Sequence, residues 1–166
     1  MITIGIDPGK KGGISFFEMG LPLRDGVTVV KMPKTERDIW DLFASVESGT
    51  AYIELVHSSP QMGVVSAFTF GYGYGVLVGC LTAAKIPIVE VSPSKWQGVL
   101  GCRTKGDKTI TKRLAQRLFP FLKVTNDTAE ALLIGYYGCK QECIQSCQDT
   151  DGRSRQGRHS SSPAIG

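Results

Sequence analysis

Short apolar blocks separated by turn residues open the chain. Ile2–Ile6, Gly12–Glu18 and Val27–Met32 each have the length and the β-branched content of a strand, and short polar or glycine-bearing segments connect them. This arrangement predicts an antiparallel three-stranded meander. Two further strands are predicted over Ala51–Val56 and Ile86–Val91, each after a segment long enough to hold a helix.

Helical patterns occupy the remainder. Thr35 is placed to cap a helix with apolar residues at intervals of three and four, and a long helix is predicted over Pro60–Ala84. Ser92-Pro93 is typical of a helix start, because serine caps and proline suits the first helical position. A basic helix is predicted over Asp107–Phe119, and a last helix from near Asn126 to about Cys143.

The order of elements predicts an α/β fold. Three strands followed by alternating helices and strands give a mixed five-stranded sheet, an antiparallel meander plus parallel strands, flanked by helices. A length of 166 residues suits one domain. We expect the domain to span residues 1–145. Residues 146–166 are predicted to form a disordered C-terminal tail, because their Ser, Arg and Gly offer little to bury.

Composition bears on compartment. The chain begins directly on a predicted strand, so we expect no secretory signal, and the apolar stretch Gly75–Ala84 is short and interrupted by glycine, so we expect no membrane partner. Five cysteines argue against a complete disulfide framework and favour a cytoplasmic or other reducing location. A zinc site at Cys139, Cys143 and Cys147 stays open, although no fourth ligand has a usual spacing.

Charge is unevenly distributed. Residues 1–91 carry 7 Lys/Arg against 9 Asp/Glu, whereas residues 92–166 carry 12 against 6. Within Ser92–Lys123 there are eight basic residues and one acid. Such a block either forms a solvated face or binds a polyanion such as nucleic acid.

Four carboxylates stand where folding alone does not require them. Asp7 ends an apolar strand, Glu54 interrupts another, and Asp127 and Glu130 lie three apart on one face of an apolar helix. Each has a structural alternative: a turn residue, an edge-strand residue, or acids that complement a helix dipole. Together they suit hydrolysis of phosphodiesters, since several carboxylates can hold two metal ions on the attacking and leaving oxygens.

The segments around these acids resemble a known family. RuvC-like Holliday junction resolvases of the RNase H-like superfamily share the pattern Ile4-Gly5-Ile6-Asp7-Pro8-Gly9, Ala51-Tyr52-Ile53-Glu54 and Asp127-Thr128-Ala129-Glu130-Ala131-Leu132. Val91-Ser92-Pro93-Ser94-Lys95-Trp96 is similar to the phage and organellar branch. The resemblance covers about residues 1 to 140.

The resemblance implies a homodimer that makes paired symmetric cuts in four-way or branched DNA, in a DNA-containing compartment. It implies dependence on Mg²⁺ or Mn²⁺, with two ions in each active site. Asp7 would bridge both metals, Glu54 would hold one, and Asp127 and Glu130 would complete the set. The last position is usually aspartate in bacterial relatives, so glutamate leaves the preferred metal open.

Basic residues after the fifth strand are candidates for DNA contacts. We expect phosphate contacts, which position DNA without reading its sequence, from Lys95, Lys105, Lys108, Lys112 and Arg113. The resemblance implies that one lysine of this region lies near the scissile phosphate, and Lys105 and Lys108 are equal candidates.

A residue that wedges into the junction is also implied by the resemblance. His57, three residues after Glu54, has the position of the aromatic that does this in some relatives, although it can equally be an ordinary loop histidine. The nearby aromatics are expected to pack inside the protein: Phe68, Phe70 and Tyr72.

Small residues recur every four positions along the long helix, at Gly71, Gly75, Gly79 and Ala83. Each glycine costs a helix about 1 kcal/mol relative to alanine, so a close packing partner is expected. That partner is either the protein's own sheet or, as the resemblance implies, a second copy related by a two-fold axis.

Three other functions compete with that of a junction resolvase. A nuclease of the same fold could act on other branched or flap DNA, or on RNA, and the acids do not separate these substrates. A non-cutting junction-binding module would need an acid lost, and none is missing. An actin-like ATPase would need a phosphate loop and a second domain, for which the chain is too short.

Overall fold

The computed structural model describes residues 1–55, 61–104 and 106–156, and the side chains of residues 147–156 lie outside this description. Within those ranges the elements are β1 (Ile2–Asp7), β2 (Gly13–Glu18), α1 (Leu23–Gly26), β3 (Val27–Lys31), α2 (Glu36–Ala44), β4 (Gly49–Glu54), α3 (Val64–Ala83), β5 (Ile88–Val91), α4 (Pro93–Leu100), α5 (Thr109–Leu118) and α6 (Asn126–Gln156).

The strands form one mixed sheet in the order β3-β2-β1-β4-β5. β1 pairs antiparallel with β2, and β2 with β3, whereas β4 pairs parallel with both β1 and β5. This confirms the predicted meander plus parallel strands. β4 is therefore internal, which excludes the edge-strand alternative for Glu54.

Helices cover both faces of the sheet. Alternation along β1 sends Ile4 and Ile6 toward α2 and α3, where they join a buried cluster with Phe43 and Leu81. The opposite face packs against α4, α5 and α6, and its buried residues include Phe17, Tyr52, Trp96, Phe119 and Leu132. The result is a three-layer α/β/α fold.

The central helix α6 lies in close contact with the middle of the sheet. A Cβ added at Gly5 would overlap the backbone nitrogen of Gly135, and one added at Gly135 would overlap the side chains of Ser15 and Phe17, so both positions need glycine for this approach. Ser15 fixes the contact, because its hydroxyl donates to the carbonyl of Ala131 at 2.7 Å. The start of α6 is thereby held against the ends of β1 and β2.

Several boundaries differ from the sequence predictions. Glu54 is the last residue of β4 rather than an interruption within it, because pairing with β1 begins earlier, at Gly49. The short α1 was not predicted, since four residues carry no helical period. α6 continues to Gln156, past the end expected near Cys143. The boundary at residue 145 and the disordered tail stay predictions.

The long helix α3 is mostly exposed. Its 20 residues are long and apolar enough to cross a membrane, by length and composition alone. Only Leu77 and Leu81 of this helix are buried. The expectation that the protein has no membrane partner stays a prediction.

Candidate active site

Three carboxylates form a buried group. In the part of the chain that the structure describes, the only buried charged side chains are Asp7, Glu54 and Glu130, at 9%, 8% and 8% exposure. Burial of an ionised carboxylate is costly unless a partner compensates the charge. Three such groups in one place therefore indicate a site that is built to receive positive charge.

Strand pairing explains why these residues meet. Ile6 of β1 is the partner of Ile53 in β4, so Asp7 and Glu54 follow at the same edge of two neighbouring parallel strands. Asp7 comes two residues after Gly5, and Glu54 two after Tyr52, so both lie on the face that α6 covers. Glu130, in the first turns of α6, completes the group from the helix that covers this face.

The surroundings of Asp7 disfavour its ionised form. Burial is the main reason that its pKa is raised, and the negative charges of Glu130 and Asp127 add to this. The backbone N–H of Gly9 opposes the shift by donating to Oδ1 at 3.1 Å. The turn after β1 also encloses the carboxyl group, because a Cβ at Gly12 would overlap it.

The surroundings of Glu54 also disfavour its ionised form. Burial raises its pKa to about 7, and the charges of Asp7 and Glu130 act in the same direction. The indole N–H of Trp96 opposes them by donating to Oε1 at 2.9 Å. Near neutral pH this carboxyl is thus poised between its two forms, and nearby positive charge would ionise it.

Two lysines supply positive charge at the rim. The Nζ of Lys108 lies 3.5 Å from Oε2 of Glu130, and the Nζ of Lys31 lies 2.8 Å from Oδ2 of Asp127. Asp127 is less buried than the other three acids, with 30% of its side chain exposed. The hydrogen bond from Lys31 is the main reason that the pKa of Asp127 is lowered.

The donor set fits a hard divalent cation by its chemistry. All four side chains offer oxygen only, which suits Mg²⁺ or Mn²⁺ rather than zinc. As the side chains stand, no three His, Cys, Asp or Glu side chains among the described residues are arranged to hold a metal. Two of the four acids pair instead with Lys31 and Lys108. The predicted set is brought together, and its role as ligands stays a prediction.

The residues predicted to contact DNA differ in their position and exposure. Lys108 directly precedes α5 and reaches Glu130. Lys95 in α4 and Arg113 in α5 are exposed, whereas Lys112 is half-buried. His57 and Lys105 lie outside the described residues, so the roles of His57 as a wedge and of Lys105 as a phosphate contact stay predictions.

Sequence reasoning missed two residues of the site. Trp96 belongs to the segment that carried the family resemblance, yet nothing in the sequence links its indole to Glu54. Lys31 ends β3, and only the sheet order brings it to Asp127. Both contacts depend on three-dimensional pairing, so local patterns could not reveal them.

Two expectations about other side chains had different outcomes. Phe68 and Tyr72 are 75% and 58% exposed, so the expectation that they pack inside the protein is wrong; they lie on the helix α3, whose apolar surface the monomer leaves uncovered. Cys139 and Cys143 are free thiols. A zinc site that includes Cys147 stays a prediction, because that side chain lies outside the description.

Comparison with solved structures agrees with this architecture. The chain is similar to RuvC from Thermus thermophilus, with a TM-score of 0.61 and 16% identity over 87% of this chain and 97% of that one. It is also similar to T. thermophilus RuvC in complex with a Holliday junction substrate, with a TM-score of 0.58 and 15% identity over 82% and 91% of the two chains. No family model and no curated protein matches the sequence. These similarities show that the chain has a RuvC-like, RNase H-like fold.

Proposed function

We propose that the protein is a structure-selective DNA endonuclease that resolves Holliday junctions by metal-dependent hydrolysis of phosphodiester bonds. The observation that carries this proposal is the buried group of Asp7, Glu54 and Glu130, gathered from β1, β4 and α6. A stable fold gains nothing from three mutually repelling carboxylates, so a functional use of the site is the better explanation.

Asp7, Glu54 and Glu130, with Asp127 at the rim, would hold Mg²⁺ or Mn²⁺, as two ions in each site. Bound there, the cations would neutralise the charge of the phosphate and lower the pKa of a water molecule, so that the water could lose a proton and attack the phosphorus. The protein's own residues position this chemistry. Gly9 and Trp96 hold Asp7 and Glu54 by hydrogen bonds, which limits their rotation before substrate arrives.

Lys108 is the lysine we assign to the scissile phosphate. Its side chain is 70% exposed, and its Nζ lies 3.5 Å from Oε2 of Glu130. It can therefore contact DNA that approaches the acidic site from solvent. A lysine there offsets the repulsion between the phosphate and the carboxylates. Lys95, Lys112 and Arg113 would extend the contact along the backbone of the same DNA.

A homodimer through α3 would give the enzyme two active sites, matching the two-fold arrangement of a four-way junction. Val64 and Phe68 are 85% and 75% exposed, and they share a helix face with Gly71, Gly75 and Gly79. A Cβ at any of these glycines would meet none of the described atoms within 4 Å. The sheet of the same chain is therefore not their partner. A second copy would bury this apolar face, and a membrane is the competing occupant.

Similarity of fold supports the choice of substrate. One of the similar structures is RuvC in complex with a Holliday junction substrate. At 15% identity this similarity concerns the fold, so the choice of junction over other branched DNA rests on experiment.

The test is a cleavage assay on a labelled synthetic four-way junction, with linear duplex, a DNA flap and an RNA–DNA hybrid beside it. We expect paired, symmetric cuts in the junction that require Mg²⁺ or Mn²⁺. Asp7→Asn should abolish cutting, by a factor of roughly 10³ or more, since it removes a transition-state interaction. Asp25→Asn, at an exposed acid of α1, is the matched control and should cut normally.

Other outcomes select the alternatives. Equal cutting of flap and junction would replace the junction resolvase with a general nuclease for branched DNA. Preferred cutting of the RNA–DNA hybrid would move the substrate to RNA. Tight junction binding without cutting, in either metal, would make the protein a junction-binding module.

A further inference from the structure

A cleft of about 950 Å³ lies beside the acidic site. The turn between β1 and β2, the segment from β3 to α2, and the helix α3 form its walls. Pro8, which follows Asp7, lines the cleft, and so does Asp127. The cleft is therefore continuous with the proposed active site, and its volume is at the upper end of ordinary ligand pockets, roughly 300–1,000 Å³.

One wall of this cleft is basic. Four lysines line it: Lys10, Lys11, Lys31 and Lys34. They are four of the seven Lys and Arg residues in the acidic half of the sequence, 1–91. The fold thus gathers positive charge that the sequence distributes among separate segments.

The acids that line the cleft are already engaged. Asp127 pairs with Lys31, and Glu36 accepts a hydrogen bond from the hydroxyl of Tyr72 at 3.0 Å. Within the described residues, Lys10, Lys11 and Lys34 form no ion pair. These exposed lysines are available to an anionic ligand.

A second part of the lining is mostly apolar. It is formed by one face of α3, where lining residues recur at intervals of three and four and include Val65, Phe70 and Val76. Gly71, Gly75 and Gly79 are not among the lining residues and lie on a different face of α3. A cleft lined both by lysines and by a mostly apolar helix surface with an aromatic ring suits a ligand with regular negative charges and flat apolar groups.

We propose that this cleft binds unpaired nucleotides of the DNA strand next to the scissile phosphate. The phosphates contact Lys10, Lys11 and Lys34, and a base stacks on Phe70. A paired duplex hides its bases and cannot use the apolar wall, so the fit is to a single-stranded segment. The assignment of the neighbouring scissile phosphate rests on the proposed nuclease function.

The proposal is tested by measuring how a short labelled oligothymidylate binds to the protein. Fluorescence anisotropy reports the binding, in EDTA and at several salt concentrations. The variant Lys10→Gln/Lys11→Gln/Lys34→Gln should bind roughly tenfold more weakly, and its salt slope should fall by about 2, since each lost phosphate contact contributes about 0.7. Lys31 is left intact because it pairs with Asp127. The three substituted side chains are exposed, so the variant should melt like the wild type.

A matched control removes three charges outside the cleft, in Arg24→Gln/Lys85→Gln/Lys123→Gln, and should retain the wild-type slope. Phe70→Leu keeps an apolar wall without the ring. It should weaken oligothymidylate binding roughly fivefold or more and leave duplex binding unchanged. Equal losses in the cleft variant and the control would overturn the proposal, as would equal losses for duplex and single strand.

The measurement separates this proposal from the proposed function. Binding is measured in EDTA, so it does not depend on hydrolysis, and Asp7→Asn should bind the oligonucleotide normally. Cleft-dependent binding by a protein that cuts no DNA would support the cleft and contradict only the nuclease. If the protein cuts junctions normally but its oligothymidylate binding does not depend on the cleft lysines, only the proposed role of the cleft is contradicted.

Discussion

The indole nitrogen of Trp96 donates a hydrogen bond to Oε1 of Glu54 at 2.9 Å, and both side chains are buried. Trp96 belongs to α4, which begins two residues after β5, the strand that neighbours β4. The bond therefore connects the edge of the sheet to the helix that follows it. It fixes one oxygen of Glu54 and favours the ionised carboxyl against the effect of burial.

Replacement of this tryptophan tests its positioning role. Trp96→Phe keeps an aromatic ring in the core but leaves Glu54 without its donor. The pKa of Glu54 should rise further, so the acidic limb of the pH–rate profile for junction cutting should move to higher pH. Activity at pH 8.5 or so should recover more than activity at neutral pH, because alkaline conditions ionise the carboxyl again.

The control for that experiment is Trp40→Phe, at a half-buried tryptophan of α2. It removes the same atoms away from the carboxylates, so its pH–rate profile should match the wild type. A Trp96→Phe protein whose rate falls equally at every pH would show that Trp96 only supports packing.

Stability should depend on the ionisation of Glu54. Its pKa is about 7 in the folded protein against an ordinary 4.5, so the folded state holds this proton more tightly than the unfolded state. Tighter binding of this proton raises the free energy of unfolding. The increase is complete below pH 4.5 and is lost as the pH rises through 7. Glu54→Gln should therefore stabilise the protein in EDTA at pH 8, by about 2 kcal/mol, and much less at pH 4.5.

Thermal denaturation in EDTA across this pH range measures the effect. Glu47→Gln, at an exposed glutamate before β4, should change the melting temperature little at any pH. Added Mg²⁺ should stabilise the wild type more than Glu54→Gln, since a bound cation favours the ionised form. A Glu54→Gln protein less stable than the wild type at pH 8 would contradict the assigned burial of charge.

Lys108 gives a separate prediction for DNA binding. Lys108→Gln should weaken junction binding and lower the slope of log affinity against log salt by about 1, because one phosphate contact is lost. Binding should be measured with Asp7→Asn as the common background, so that no cutting occurs. Lys85→Gln, outside the proposed contacts, should leave the slope unchanged, and an unchanged slope in Lys108→Gln would exclude the phosphate contact.

The sequence predicts most of the sheet because its signals are local. Alternation and turn residues delimit β1, β2 and β3, and the four acids are visible because they stand beside apolar residues where a charge is costly. The mixed five-stranded sheet is confirmed by the structure. The start of α3 was less accurately predicted, at Pro60 instead of Val64, since no capping side chain marks it.

Contacts across the sheet were beyond sequence reasoning. Lys31 and Asp127 are 96 positions apart in the sequence. Their pairing follows only from the strand order β3-β2-β1 and from the position of α6 on the sheet. The lysine wall of the cleft has the same origin, because charge counted along the chain gave residues 1–91 a net negative value. Ionic contacts of this kind depend on which strands become neighbours.

The glycine face of α3 leads to the last prediction, which concerns assembly. Gly75 has space around it in the single chain, so Gly75→Leu should leave the monomer folded and improve helix propensity by about 1 kcal/mol. If a second copy packs closely there, the added side chain blocks it. Light scattering should then find a dimer for the wild type and a monomer for Gly75→Leu.

Gln116→Leu, which adds an exposed leucine to α5, should remain dimeric. The monomeric variant should also lose paired cutting of the junction while it still binds a single DNA arm. A Gly75→Leu protein that stays dimeric would exclude this face as the interface, and a wild type that is soluble only with detergent would favour a membrane as the partner of α3.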